Sequence, residues 1–287
     1  MQRFLIRQSM RLVAGVLGAV LIAAAIAAVG EPAAHNPPGF LTAFLSHLLQ
    51  FGRLDLGTSL VSGAPVVQEL GRYLPRTLAL VAMGAVIALV AGVPIGLLLT
   101  LGPTRRIAAP LIQIVTATPV FVSGLTLAFV AVHLLHWPVS VNAPVAMPYQ
   151  VWQVAVLPIL TVGLAGAAAV QLVLRRSSAQ PGGESFRTGL KRMGLGLIEI
   201  ETLYVLPKMV AGLAAGAREI VLALFSAAVV AEWVFHCAGA ADLFVKSVAL
   251  ADWNMAAILL FVFAMVTFVV EFLGEAIAHA LAPGGRP

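Results

Sequence analysis

Uncharged apolar runs, each long enough to cross a bilayer, follow one another along this chain. Leu12 to Val29 is the first and Thr77 to Gly102 the second. A helix of about 20 apolar residues spans the hydrocarbon core. Ile107 to Leu174 contains no Asp, Glu, Lys or Arg, but it is too long for one helix. It is broken at His136–Pro148, whose prolines cannot sit in a helix interior. Two spans follow from it, about Ile107–Leu135 and Gln153–Leu174. Met209–Ala231 is the fifth, interrupted by Arg218-Glu219, and Trp253 to about Leu281 is the sixth, with Glu271 and Glu275 toward its end. The pattern predicts an all-α integral membrane protein with six transmembrane helices.

Composition agrees. Of 287 residues, 61% are hydrophobic and only 10% charged, so the chain could not cover its own surface in water. The single Cys237 excludes a disulfide within the chain. The net charge of +5 would suit nucleic acid in a soluble protein. In a membrane protein, excess Lys and Arg marks cytoplasmic loops instead, so no nucleic-acid partner is expected.

The basic residues orient the helices. With both termini in the cytoplasm, that side holds Arg3, Arg7, Arg11, Arg105, Arg106, Arg175, Arg176, Arg187, Lys191, Arg192, Lys208 and Arg286. The outer side holds only Arg53, Arg72, Arg76 and Lys246. The first run resembles a secretory signal core, but it is long and Arg11 sits tight against it, so a retained helix is expected. Two regions follow: 1–74, an N-terminal helix with an extracytoplasmic loop, and 75–283, a transmembrane core carrying a cytoplasmic loop at 175–208.

That loop concentrates the charge. "GESFRTGLKRMGL" and "GLIEIETLYVLP" each read as a short amphipathic helix, with Gly194 and Gly196 between them. Phe186, Leu190 and Met193 recur at helical spacing, while Arg187, Lys191 and Arg192 fall on other faces; Leu197, Ile200 and Tyr204 repeat the arrangement, with Glu199 and Glu201 exposed. Glycine between the helices permits the positive backbone dihedral of a sharp turn. Pro207 favours an extended or turn geometry at Leu206. On residue chemistry alone, the loop suits equally an elbow docking on a cytosolic protein and a loop whose basic residues meet anionic lipid.

Several stretches carry a resemblance. From Gly194, nine residues lead to Tyr204-Val205-Leu206-Pro207. This is similar to the cytoplasmic signature of permease subunits of binding-protein-dependent ABC importers, in which Glu-Ala-Ala precedes the glycine. Here that triplet reads Thr188-Gly189-Leu190. Asp55-Leu56-Gly57-Thr58-Ser59, Pro65-Val66 and Leu74-Pro75-Arg76-Thr77-Leu78 resemble the segment before the second span in the dipeptide/oligopeptide/nickel branch. Gly92–Leu98 resembles that branch's second-span ending, and Val229–Gly239, with Glu232, Val234 and Phe235, its Val-Val-x-Glu-x-Val-Phe element. The chain departs from the branch at Phe225-Ser226, where a glycine pair is usual, at Ala238-Gly239-Ala240-Ala241, and at Ala282-Pro283-Gly284.

The resemblance implies the type I importer fold and a permease half. A second related permease, two ATP-binding subunits, an extracytoplasmic substrate-binding protein and membrane lipid are its implied partners, in a bacterial inner membrane. The loop would be a coupling helix. Gly194 would give the turn, Leu190, Met193 and Leu195 an apolar plug, and Arg187, Lys191 and Arg192 its polar rim, with Leu206-Pro207 fixing the junction to span five. The cargo would be a dipeptide, a longer peptide, a metal chelate or an antimicrobial peptide.

No phosphate-binding Gly-x4-Gly-Lys-Ser/Thr loop, metal-ligand cluster or nucleophile elbow occurs, so no enzyme activity and no cofactor is expected on this chain. Small residues at Gly92-x3-Gly96 and Gly212-x3-Gly216 suit close helix packing. Arg218 and Glu219 stand about ten residues into span five, where a charge costs about 2.5–3.5 kcal/mol. They suit a translocation path, an ion pair with another subunit, or a span displaced so that both lie near an interface. Glu232 is expected to order the outer end of that span. A stand-alone secondary transporter would show an internal repeat, which is not evident; a membrane scaffold recruiting a cytosolic partner would tolerate neutral replacements at Arg218 and Glu219.

Overall fold

The computed structural model describes residues 2–29, 39–100, 110, 114, 117–139, 148–178 and 183–281. The described residues are helical throughout, apart from turns and one isolated bridge between Thr58 and Pro65. In chain order the helices are α1 (Gln2–Val29), α2 (Phe40–Gly52), α3 (Val66–Thr100), α4 (Val120–His133), α5 (Pro148–Ser178) and α6 (Gly183–Arg192). Then come α7 (Leu197–Ile200), a π turn over Glu201–Val205, α8 (Leu206–Ala215), α9 (Ala217–Val234), α10 (Ala240–Ala249) and α11 (Trp253–Leu281).

Among the described residues, four helices are long and apolar enough to cross a membrane: Ile6–Val29, Val66–Gly96, Ala155–Ser177 and Trp253–Leu281. A fifth span forms if Thr202–Ala215 and Ala217–Val234, bent by 57° across their break, count as one. The six predicted spans are thus four or five here. Most of the first half of the predicted third span, and residues 140–147 of the predicted break after it, lie outside the described residues. The helix described within that span is the 14-residue α4. The second span starts earlier than the apolar run implies, at Val66, because Pro75 continues the helix rather than opening it.

Close approach of backbones organises the bundle. On α3, a side chain at Gly92 would come within 2.9 Å of Val170 on α5, and one at Gly96 would strike Leu174 one turn further along. The first glycine pair therefore lies in the α3–α5 seam, as small residues at a helix interface should. The second pair lies in the α8–α5 seam: side chains at Gly212 and Gly216 would collide with Ser177 and Val173. Across α8, Gly274 of α11 leaves room for the Ala214 carbonyl. The main core is filled by Val162 and Val170 of α5, Leu224, Phe225 and Ala228 of α9, and Phe235 beyond it. Large apolar residues on the outside, such as Leu17, Ile22, Val86, Val90, Val269 and Leu273, face out of the bundle, as expected of helices whose solvent is lipid.

The end that holds the starts of α3 and α11 is ordered by side chains capping helices. Asp252 precedes α11 and accepts from the Met255 N–H at 3.1 Å, the geometry of an N-cap. Its other oxygen accepts from the Ser59 hydroxyl at 2.5 Å, tying the turn before α3 to the start of α11. Asn254 donates to the carbonyls of Leu56 and Thr58 in the same turn.

Candidate functional site

Helix α6 ends where Gly194 adopts φ +87°, a dihedral that L side chains rarely adopt. The Gly194 N–H donates to the Lys191 carbonyl at 3.0 Å and the Leu195 N–H to the Leu190 carbonyl at 3.2 Å. These paired bonds are the Schellman arrangement, in which the residues at its two ends are brought together. Leu190 is accordingly buried and Leu195 half-buried. The apolar plug expected of Leu190, Met193 and Leu195 is thereby divided: Leu190 and Leu195 belong to the cap, and Met193 alone is presented outward, 80% exposed. Lys191 and Arg192 are exposed around it. Arg187 lies in α6, but its side chain, like those of Phe186, Leu197 and Glu201, is outside the described residues.

The next helix is capped in return. The Gly196 N–H donates to the Glu199 carboxylate at 2.9 Å, so a glutamate at the third helical position reaches back to the residue before the helix. Glu199 is exposed as expected, and this cap is the use it serves. Ile200 is buried on the opposite face, and Tyr204 is exposed. The extended geometry expected at Leu206 is not found. The chain runs through the π turn directly into α8 with Val205 at φ −84°, ψ −48°, and Pro207 in the first helical turn. There a missing N–H leaves no helical bond unmade, and the wider turn ahead of it relieves the proline ring of its usual clash one turn back.

Arg218 and Glu219 begin a helix rather than interrupting one. The break at Gly216 places them in the first turn of α9, level with the end of α5 and the final turns of α11. Arg176 of α5 donates to both Glu219 carboxylate oxygens, at 2.8 and 2.7 Å. Arg218 reaches Glu271 of α11 at 3.3 Å, and Arg11 of α1 reaches Glu275 at 3.7 Å. Four helices are therefore joined by ion pairs at the end that carries Arg175 and Arg176. Both charges are thus paired within this chain, Arg218 with Glu271 and Glu219 with Arg176. Neither points at the other, as the 100° between adjacent helical positions requires.

At the other end of α9, Glu232 is 1% exposed. It accepts from the Thr77 hydroxyl at 2.5 Å and from the Asp242 N–H at 2.8 Å. The Thr77 oxygen itself accepts from the Ala240 N–H at 2.7 Å. Glu232 and Thr77 together cap α10, and Gly239 is required there because a side chain would collide with the Glu232 carboxyl. Glu232 does order the C-terminal end of this helix. Its partner Thr77, on α3, had been noticed only as part of a motif. Arg176, Glu271, Glu275 and Arg11 were likewise counted as loop or terminal charges; their pairing depends on helix packing, which no local pattern reports. Cys237, in the turn beyond α9, has its thiol pKa pushed up to about 12, first by burial and then by Glu232 and Asp242. Among the described residues, no cluster of His, Cys, Asp and Glu suits a metal ion.

The family described as the binding-protein-dependent transport system inner membrane component matches residues 84–286. This chain belongs to that family. It is 29% identical to the oligopeptide transport system permease protein OppB of Mycobacterium tuberculosis over 264 residues, 82% of this chain and 77% of that protein. It is 30% identical to the glutathione transport system permease protein GsiC of Salmonella typhi over 253 residues, 83% of this chain and 77% of that one. In fold it is similar to a chain of the MetNI methionine ABC transporter, solved in inward-facing conformations. The TM-score is 0.55 at 18% identity, covering 75% of this chain and 97% of that chain. Its fold is thereby that of a chain of this ABC transporter, and by its family the protein is a multi-pass inner-membrane component of a binding-protein-dependent transport system.

Proposed function

We propose that this chain forms half of the translocation path of an ATP-driven importer for peptides or similar small solutes, metal chelates included. It would pair with a second homologous permease, sit on two ATP-binding subunits and receive cargo from an extracytoplasmic binding protein, with both of its own termini in the cytoplasm. Membership of the permease family and the names of its oligopeptide and glutathione relatives support this proposal. ATP hydrolysis would belong to the separate subunits.

The observation that carries it furthest is the elbow of α6 and α7. Its tip presents Lys191, Arg192, Met193 and Gly194, while its own caps hold Leu190, Leu195 and Glu199. A self-capped tip with one exposed apolar side chain ringed by cations suits insertion into a cleft of an ATP-binding subunit. Leu206-Pro207, continuous with α8, would transmit the motion of the elbow to the bent span. Arg218 and Glu219 would lie at the cytoplasmic mouth of the path.

Co-purification from membranes in mild detergent tests this, comparing wild type with Gly194→Arg and Gly194→Asn. Asparagine tolerates positive φ, so Gly194→Asn retains the turn. The expected result is two ATP-binding subunits and a second permease with the wild type and Gly194→Asn, and loss of the ATP-binding subunits from Gly194→Arg. A wild-type chain that purifies alone or as a homo-oligomer overturns the importer assignment. ATP-binding subunits retained by Gly194→Arg overturn the assignment of the elbow while leaving the importer standing.

A further inference from the structure

Between α1, α9 and α11, at the same end as the elbow, lies a cavity of about 360 Å³. Gln8, Arg11 and Leu12 of α1, Arg218 of α9, and Phe268 and Glu271 of α11 line it. A shallow apolar hollow shares Arg11 and adds Arg7, Met10 and Ala14 on the outer face of α1. Gln8 is the informative residue. It is only 4% exposed, it lines the cavity, and its amide forms no hydrogen bond among the described residues. That amide opens onto the cavity, so its donors and acceptor are available to a ligand there.

The charges favour an anion. Arg11 and Arg218 each make one loose ion pair, at 3.7 and 3.3 Å, and a guanidinium carries five N–H donors, so most of theirs remain unused. Arg7 meets no carboxylate among the described residues. Three cations therefore stand against the two carboxylates Glu271 and Glu275. Leading away from the site, Ile6, Met10, Val13 and Leu17 are all exposed on α1 and recur at the spacing of one helical face. An anionic head and an apolar tail are what such a site would take.

We propose that the cleft between α1, α9 and α11 binds an anionic phospholipid of the cytoplasmic leaflet. Its phosphate takes donors from Arg11 and the Gln8 amide, with Arg7 reaching it from the adjoining hollow, and an acyl chain lies along Ile6, Met10, Val13 and Leu17. This goes beyond the importer assignment and uses only the orientation of the helices. Basic pockets between helices on the cytoplasmic side are known settings for lipid headgroups. By holding α1 to α11 beside the Arg218–Glu271 pair, the lipid would brace the helix ends that surround the mouth of the path.

The test is native mass spectrometry of the full chain in detergent micelles. Dioleoylphosphatidylglycerol and dioleoylphosphatidylcholine are added at equal mole ratio, and inorganic phosphate forms a third arm. The expected result is retention of the glycerol lipid at least about fivefold above the choline lipid, the effect of a single arginine near a charged surface. Arg7→Gln breaks no ion pair and should lower that preference by about fivefold; Gln8→Leu, which removes the amide, should also lower it. Inorganic phosphate should neither add to the protein nor displace the lipid. Equal retention of the two lipids by the wild type overturns the proposal, as does a preference unchanged in both variants. Displacement by millimolar phosphate would show a free-anion site, and a homodimer without lipid would show that a second copy covers α1; either result overturns it too.

Discussion

Replacing Glu232 with alanine tests how the C-terminal end of α9 is held together. The carboxyl is buried and accepts two donors, the Thr77 hydroxyl and the Asp242 N–H. Alanine leaves the Asp242 amide without an acceptor at the start of α10 and takes the hydroxyl's partner away as well. A buried donor left unsatisfied costs about 1–3 kcal/mol, so the two together amount to about 3 kcal/mol. At about 2–4 °C per kcal/mol, the melting midpoint should fall by about 6–12 °C. Glutamine keeps one acceptor oxygen and the shape, so Glu232→Gln should lose only one bond, about 1 kcal/mol, and melt by about 3 °C less than wild type. The assay is intrinsic-fluorescence melting of the purified chain in detergent, with hydrogen exchange followed at Ala240 to Asp242. Exchange should accelerate there in the alanine variant and hardly change elsewhere. If Glu232→Ala melts with the wild type and exchange at those amides is unaltered, the capping argument is refuted.

Two further predictions rest on other parts of the molecule. Gly212→Ala introduces a methyl group that collides with the Ser177 hydroxyl across the α8–α5 seam; it should cost about 1–3 kcal/mol, and Gly212→Ala combined with Ser177→Gly should recover most of the lost melting temperature. The Cys237 thiol, with its pKa pushed up to about 12, is neutral below that value, so at pH 8 the reactive thiolate is about one molecule in ten thousand. Its alkylation by iodoacetamide, followed by mass spectrometry, should rise about tenfold per pH unit from pH 8 to 10 without levelling off, whereas an ordinary thiol levels off near pH 9.

The membrane class, the placement of most spans and the existence of a helical elbow between α5 and α8 were legible in the sequence, because each rests on a local or additive property. Hydropathy sums over a window, basic residues count by loop, and a glycine between amphipathic segments marks its own turn. The resemblance through Gly194, Leu206-Pro207 and Val229–Gly239 led to the right family for the same reason: short motifs survive where the surrounding residues change. The glycine pairs at 92 and 96 and at 212 and 216 announced close packing by their spacing, although the helices they would meet were not stated by that spacing. Glu232 could be assigned to the end of its span from a motif, but not to a bond with a residue 155 positions away.

What tertiary structure alone decided concerns partners and depth. Arg218 and Glu219 read as charges inside a span because hydropathy treats 209–231 as one segment; the 57° bend at Gly216 moves them to the first turn of a new helix, where Arg176 and Glu271 meet them. The resemblance implied Leu190 and Leu195 as part of an outward plug; the cap at Gly194 folds them against their own chain. Pro207 read as a helix boundary because its preference is local; the π turn before it absorbs the conflict. In each case the sequence determined the chemistry that a residue carries. Packing between segments distant in sequence determined which side chain met it and how far from water it lay, and those two quantities set its energy.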